Sequence, residues 1–199
     1  MPGQLLSESS YLAGNVILIE SGSARLLYKK DDRLSTFKYL TEGSIIGAAS
    51  ILRGAPCEEV RAAEEISAWS ISDKEFVDLI KKDIKVANEC NSYLWEAELL
   101  ALIEFFLSQS PKNSKSAVYL SNQLIDIATL ISINNLNEID LNAIKNKSLF
   151  IASLIEEKQF GDEILLNEVI STRDKFLKTR LILLPCLLYT SDAADEKRC

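Results

Sequence analysis

Residues 43–62, read GSIIGAASILRGAPCEEVRA, combine the parts of an anion-binding turn. Two glycines bracket a short apolar strand, about one turn of helix follows, a Gly-Ala-Pro sequence breaks that helix, and a new strand begins near Val60. A loop and a short helix between two strands aim backbone N–H groups at one point, which can hold an anion. Arg53 and Arg61 are the arginines of this stretch that could meet a phosphate.

The side chains beside this turn are less favourable for a phosphate. Glu58 and Glu59 follow Cys57, and two carboxylates at this position would repel an anion. Arg61 lies between Val60 and an alanine on the predicted strand, so we expect it to face water. The stretch therefore predicts the backbone frame of an anion site with poor ligand chemistry.

The sequence gives little support for catalysis or for metal binding. The chain has no histidine, which excludes Ser-His-Asp and Cys-His nucleophilic catalysis and the commonest metal ligand. The acidic pairs Glu64–Glu65 and Glu156–Glu157 are typical of solvated surfaces rather than of an acid–base dyad. Four separated cysteines without a CxxC motif indicate reduced thiols in a cytosolic protein, and they are Cys57, Cys90, Cys186 and Cys199. We expect neither an enzyme nor a metal site.

Composition narrows the possible partners. The 199 residues carry a net charge of −7 and no basic stripe, which argues against nucleic acid as a partner. The apolar runs are too short to span a bilayer, and Met1–Gln4 does not begin a signal peptide.

The elements that would position the turn are short strands. Residues 4–71 contain β-branched and apolar runs at roughly ten-residue spacing, which predict a small antiparallel barrel or roll. The runs are Val16–Glu20, Ala24–Tyr28, Leu34–Leu40, Val60–Ala63 and Ile66–Ile71. The chain is therefore predicted to be mainly β with helices, in the α+β class.

Helices are predicted to follow the strands. Ser72 and Glu75 form a capping-box pattern that starts one helix. A second helix is predicted from about Val86 to Ser108, ended by Pro111.

Three segments are predicted along the chain. Residues 1–110 form the first domain, because the polar stretch Pro111–Ser116 is the best linker. Residues 111–185 begin with a helix and continue either as a second, degenerate copy of the roll or as a helical tail. Residues 186–199 read like a translated sequencing adapter rather than a native segment, so we expect them to be disordered and dispensable and the natural protein to continue past about Pro185.

The order of strand, turn, short helix, proline and strand resembles the phosphate-binding cassette of cyclic-nucleotide-binding domains. That resemblance implies a jelly-roll-like β-roll followed by helices. The family's ribose-binding glutamate falls on Ala48, and its phosphate-binding arginine falls on Cys57. The resemblance implies a weak, degenerate set of ligand contacts, namely Gly47, Ala48, Ser50, Ile51, Cys57, Glu58 and Arg61.

Further stretches of the sequence resemble one particular group of proteins that contain such a domain. Ile51–Glu58, with Pro2–Leu6 and Ser21–Leu27, is similar to the N-terminal region of cyanobacterial peptidase/ABC exporters, although this chain has no ATPase or peptidase motif. The resemblance implies the N-terminal fragment of a bacterial exporter, acting as a non-catalytic regulatory or docking module in the cytoplasm, at the cytosolic face of the inner membrane. Its partner would be the rest of the transporter polypeptide or another protein. We expect no cofactor and no tight binding of cyclic AMP or cyclic GMP. A working cyclic-nucleotide sensor is the alternative.

Overall fold

The computed structural model divides into two compact units, Met1–Asn88 and Glu89–Cys199. The structure describes residues 1–30, 33–109, 116–131, 147–153, 160–165, 168–169 and 180–185. The predicted adapter-like tail, residues 186–199, lies outside these ranges.

The described part of the first unit contains seven strands in two antiparallel sheets. They are β1 Leu5–Ser7, β2 Asn15–Ser21, β3 Ala24–Lys30, β4 Arg33–Leu40, β5 Ile45–Ile46, β6 Glu59–Ala62 and β7 Ser67–Ser72. One sheet has the order β1-β6-β3-β4 and the other the order β5-β2-β7. This arrangement confirms the predicted fold class, antiparallel sheets of a β-roll with helices.

The core of the first unit lies between the apolar faces of these strands. On strand β6, Glu59, Val60 and Ala62 are buried and Arg61 is half-buried. On β3 the neighbours Leu26 and Leu27 are both buried, and the pairing with β4 shifts register between them. Sequence alternation alone would have sent one of those two side chains outward.

Two helices of this unit agree with the prediction. Helix α1, Ala48–Arg53, follows β5, and helix α2, Asp73–Lys82, follows β7. The Ser72 hydroxyl accepts the Glu75 N–H at 3.3 Å, while the Glu75 carboxylate accepts the Ser72 N–H at 2.8 Å. The predicted capping box is therefore confirmed, and Phe76 is buried in the next position.

The single helix predicted over residues 86–108 is wrong, because the structure holds two helices there. Helix α3, Ile84–Ser92, ends before Tyr93, and helix α4, Glu96–Gln109, begins after Trp95. The Glu98 carboxylate accepts the Trp95 N–H at 3.2 Å and so caps the new helix. No proline or glycine marks this break. The helical spacing of apolar residues continues across it, and the sequence therefore predicted a single helix.

The second unit also contains a helix and a sheet among the described residues. The elements after α4 are α5 Ala117–Leu124, β8 Thr129–Ile131, β9 Lys147–Ile151, β10 Glu163–Ile164 and β11 Leu181–Pro185. The four strands form an antiparallel sheet in the order β10-β9-β11-β8. Residues of α4, α5, β9 and β11 share one buried cluster. The domain boundary at residue 110 and the second, degenerate roll stay predictions.

Candidate functional site

The cassette predicted from sequence is built from β5, α1 and the start of β6. Gly47 caps α1 with a φ of 88°, and a Cβ there would collide with the Asn15 carbonyl oxygen. Gly54 ends α1 with a φ of 68°, and its N–H donates to the Ile51 carbonyl at 3.2 Å. Glycine is favoured at both positions because side chains rarely adopt this backbone conformation. The frame of the cassette is therefore present as predicted.

The anion that this frame holds is the protein's own Glu58 carboxylate. Its two oxygens accept the Gly47 N–H at 3.2 and 3.1 Å. One oxygen also lies 3.4 Å from the backbone nitrogen of Ser50 and 3.4 Å from the Ser50 hydroxyl. Glu58 is only 3% exposed. Two backbone N–H groups and one hydroxyl thus converge on an internal carboxylate.

The sequence analysis expected Glu58 to repel a phosphate and did not assign it these hydrogen bonds within the cassette. Strand alternation does not single out Glu58, because it precedes β6 and both Glu59 and Val60 are buried after it. A buried carboxylate needs donors, and the N–H groups at the start of α1 supply them.

The two positions on which the resemblance places the family's ligand contacts hold small, uncharged side chains. Ala48 is 1% exposed, and its methyl group offers no hydrogen bond to a ribose. The Cys57 N–H donates to the Ser50 hydroxyl oxygen at 3.3 Å, and the Cys57 sulfur lies 3.5 Å from the same oxygen. Ser50 therefore links Cys57 and Glu58 inside the cassette.

Arg61 contacts a carboxylate on its own strand. Its Nε and one terminal nitrogen donate to Glu59 Oε1 at 3.2 and 3.1 Å. The other Glu59 oxygen accepts the Ser9 N–H at 3.3 Å. The Arg61 side chain is 37% exposed, so it is only partly in water. The other cassette arginine, Arg53, is buried in the last turn of α1.

Ile51 lies outside the contacts around Glu58. It lines an open cavity of about 460 Å³ between α1 and α2, together with Leu12 and Val77. Two aspartates and two lysines of α2 also line this cavity, so its charges balance. The structure brings Gly47, Ser50, Cys57 and Glu58 together and leaves Ile51 and Arg61 outside that contact.

A second buried charge cluster, which the sequence analysis missed, lies within the second unit. Arg180 donates from Nε to one Glu98 oxygen at 2.5 Å and from a terminal nitrogen to the other at 2.8 Å. Its terminal nitrogens also donate to the carbonyls of Cys90 at 3.0 Å and Tyr93 at 2.9 Å. The guanidinium lies 5.4 Å from the centre of the Trp95 ring. Through these hydrogen bonds, Arg180 connects the end of α3 with the start of α4.

The free thiol of Cys90 lies beside this cluster. Burial raises the pKa of the Cys90 thiol, an effect that the Arg180 charge partly opposes. A raised pKa disfavours the reactive thiolate. Among the residues that the structure describes, no group of three or more acidic or cysteine side chains is arranged to hold a metal ion.

Comparison with protein families gives the context for this geometry. Residues 1–83 match the family model described as "Cyclic nucleotide-binding domain". The match covers 83 of the 199 residues and lies within the first unit. The strand order, the cassette frame and the match agree on the family that the sequence resembled. Domains of this family are typically regulatory and generally non-catalytic.

Similar solved structures include a regulatory subunit of a cAMP-independent protein kinase A from Trypanosoma brucei, at 17% identity, covering 46% of this chain and 35% of that one, with a TM-score of 0.40. The catabolite activator protein of Thermus thermophilus is 19% identical, covering 55% of this chain and 48% of that one, with a TM-score of 0.40. A cyclic nucleotide-binding-like protein from Brucella abortus is 20% identical, covering 40% of this chain and 70% of that one, with a TM-score of 0.36.

This chain spans less than two thirds of the kinase subunit and of the activator protein. The curated proteins gave no match. Among the described residues, no helix is long and apolar enough to cross a membrane.

Proposed function

We propose that this chain is a non-catalytic regulatory or docking module whose cyclic-nucleotide cassette is degenerate. The observation that carries the proposal is the Glu58 carboxylate, which accepts the N–H groups of Gly47 and Ser50. A cyclic phosphate would need those donors. The two contacts that give the family its affinity are also missing, since Ala48 and Cys57 replace a glutamate and an arginine.

The magnitudes support weak or absent nucleotide binding. Each hydrogen bond to a charged group contributes about 1.5–3 kcal/mol. Micromolar affinity corresponds to about 8 kcal/mol, so losing the arginine and ribose contacts alone moves binding toward the millimolar range. A nucleotide would also have to displace Glu58 and leave a buried carboxylate without its donors, which costs further free energy.

The proposal extends to the protein of which this chain is a part. The similarity of Ile51–Glu58 to the N-terminal region of bacterial ABC exporters supports an N-terminal fragment of such an exporter. Its partner is then the rest of the transporter polypeptide or another protein, at the cytosolic face of the inner membrane. Sequencing the gene downstream of the codon for Pro185 tests this, because an ATP-binding cassette must follow there.

Calorimetric titration of the chain with cyclic AMP and cyclic GMP tests the degenerate cassette. We expect no binding heat up to about 1 mM, which is about 4 kcal/mol of binding. A dissociation constant below about 10 μM, near 7 kcal/mol, would overturn the proposal and support a cyclic-nucleotide sensor instead. The intact backbone frame at Gly47 and Gly54 is the observation that favours this second function.

A further inference from the structure

The outward face of the β5-β2-β7 sheet carries apolar side chains in a row. Leu18 on β2 stands directly opposite Ile45 on β5 and Trp69 on β7. These three side chains are 40%, 38% and 67% exposed. Ile71, two residues beyond Trp69 on the same face of β7, is 36% exposed. We call Ile45, Leu18, Trp69 and Ile71 the apolar row, and a contiguous exposed apolar surface of this kind marks an interaction site.

Strand β7 forms an edge of this sheet in the part of the chain that the structure describes. Among the described residues, β7 pairs with β2 alone, and its first five residues are exposed. Natural edge strands are usually short, charged, bulged or interrupted by proline. In the other edge strands of this unit, β1 and β5 are three and two residues long, and β4 carries Arg33 and Lys38. Strand β7 has six residues, no charge and no proline.

The direction of the free hydrogen-bonding groups follows from one contact. The Asp73 N–H donates to the Gly14 carbonyl at 3.0 Å, so the main chain at residue 73 faces β2. In an antiparallel pair this orientation alternates, so Trp69 and Ile71 also face β2. Their neighbours Ala68 and Ser70 then direct N–H and C=O groups away from β2. The one irregularity in the β2–β7 register lies at the Ser67 end, before these residues.

The charges around the sheet identify the kind of partner. The flanks of β2, β5 and β7 are acidic, with Glu20, Glu42, Glu64, Glu65, Asp73 and Glu75 against one base, Lys74. Two copies of β7 paired antiparallel would bring the acidic start of one strand beside the acidic end of the other. Like charges disfavour that pairing, whereas a strand with basic ends complements these flanks.

We propose that β7 accepts an added β-strand from an extended segment of a protein partner, with alternating apolar side chains and lysine or arginine at its ends. The segment's main chain pairs with Ala68 and Ser70, and its apolar side chains contact Trp69 and Ile71, the two members of the apolar row that lie on β7. This proposal rests on the docking function proposed above and names the surface that carries it.

A synthetic peptide, acetyl-Lys-Lys-Val-Thr-Ile-Thr-Val-Lys-Lys-amide, serves as the probe against the whole 199-residue chain. We expect calorimetric binding with a dissociation constant on the order of 100 μM and slowed hydrogen exchange at the Ala68 and Ser70 amides. Ser70→Pro removes an outward N–H, which a sheet edge tolerates, and should weaken binding at least tenfold. Ser70→Ala keeps the N–H and is the matched control. Trp69→Ser should weaken binding about fivefold through loss of apolar contact.

Four results would overturn the proposal: no peptide binding at 1 mM, equal binding to Ser70→Pro, equal binding of a peptide with glutamate for every lysine, or self-association of the chain that Ser70→Pro abolishes. The last would assign the surface to a second copy. If Ser70→Pro does not fold, a peptide N-methylated on the amides facing β7 replaces it and must fail to bind. Nucleotide titration probes the cassette and peptide titration probes β7, so either proposal can fail alone.

Discussion

Removing Glu58 should be necessary to rebuild a nucleotide site in this domain. In the variant Ala48→Glu with Cys57→Arg, the family's two ligand contacts return, while the Glu58 carboxylate still holds the N–H groups of Gly47 and Ser50. A cyclic phosphate must displace that carboxylate from at least two charge-assisted hydrogen bonds. At about 1.5 kcal/mol each, this amounts to about 3 kcal/mol, or more than 100-fold in the dissociation constant.

The assay is calorimetric titration of the double variant and of the triple variant that adds Glu58→Ala. We expect the triple variant to bind cyclic AMP near 10 μM and the double variant to bind near 1 mM or more weakly. Glu59→Ala on the double background is the matched control, because Glu59 pairs with Arg61 and not with the cassette N–H groups. Thermal melts establish that each variant is folded.

Equal affinity of the double and triple variants would refute this reasoning, because Glu58 would then present no barrier to a nucleotide. Tight binding by the Glu59→Ala control would also count against it, since any nearby negative charge would then explain the effect.

Four further predictions concern stability. Ser72→Ala should lower the free energy of unfolding by about 1 kcal/mol in urea titration. Hydrogen bonds from the Ser72 backbone and side chain lower the pKa of Glu75 from its ordinary value. The stabilisation is therefore present above the unfolded pKa and lost as the pH falls through the lower folded pKa. Acid titration should therefore destabilise the native chain more than Glu75→Gln. Arg180→Met removes the ion-pair partner of the buried Glu98 carboxylate and should lower the free energy of unfolding by about 3–5 kcal/mol. Adding Glu98→Leu should recover part of that loss. Truncation after Pro185 should leave the melting temperature unchanged, and a clear fall would contradict the expected dispensable tail.

Local patterns in the sequence determined much of the first unit. The Ser72–Glu75 capping box is a contact between residues three apart, so the sequence contains both partners. Gly47 and Gly54 similarly mark the ends of α1, because each supplies a backbone conformation that other residues resist. Strand alternation and spacing predicted the antiparallel fold for the same reason: they depend on neighbouring residues alone.

Tertiary structure decided what depends on distant partners. The break between α3 and α4 accompanies the Glu98–Arg180 pair, which joins residues 82 positions apart, and no proline or glycine marks it. The role of Glu58 depends on where α1 places its N–H groups, so the sequence showed a repelling charge where the fold has a satisfied one. A charge or a main-chain donor acquires its effect from the groups that folding brings beside it, and that information lies in the packing rather than in the order of residues.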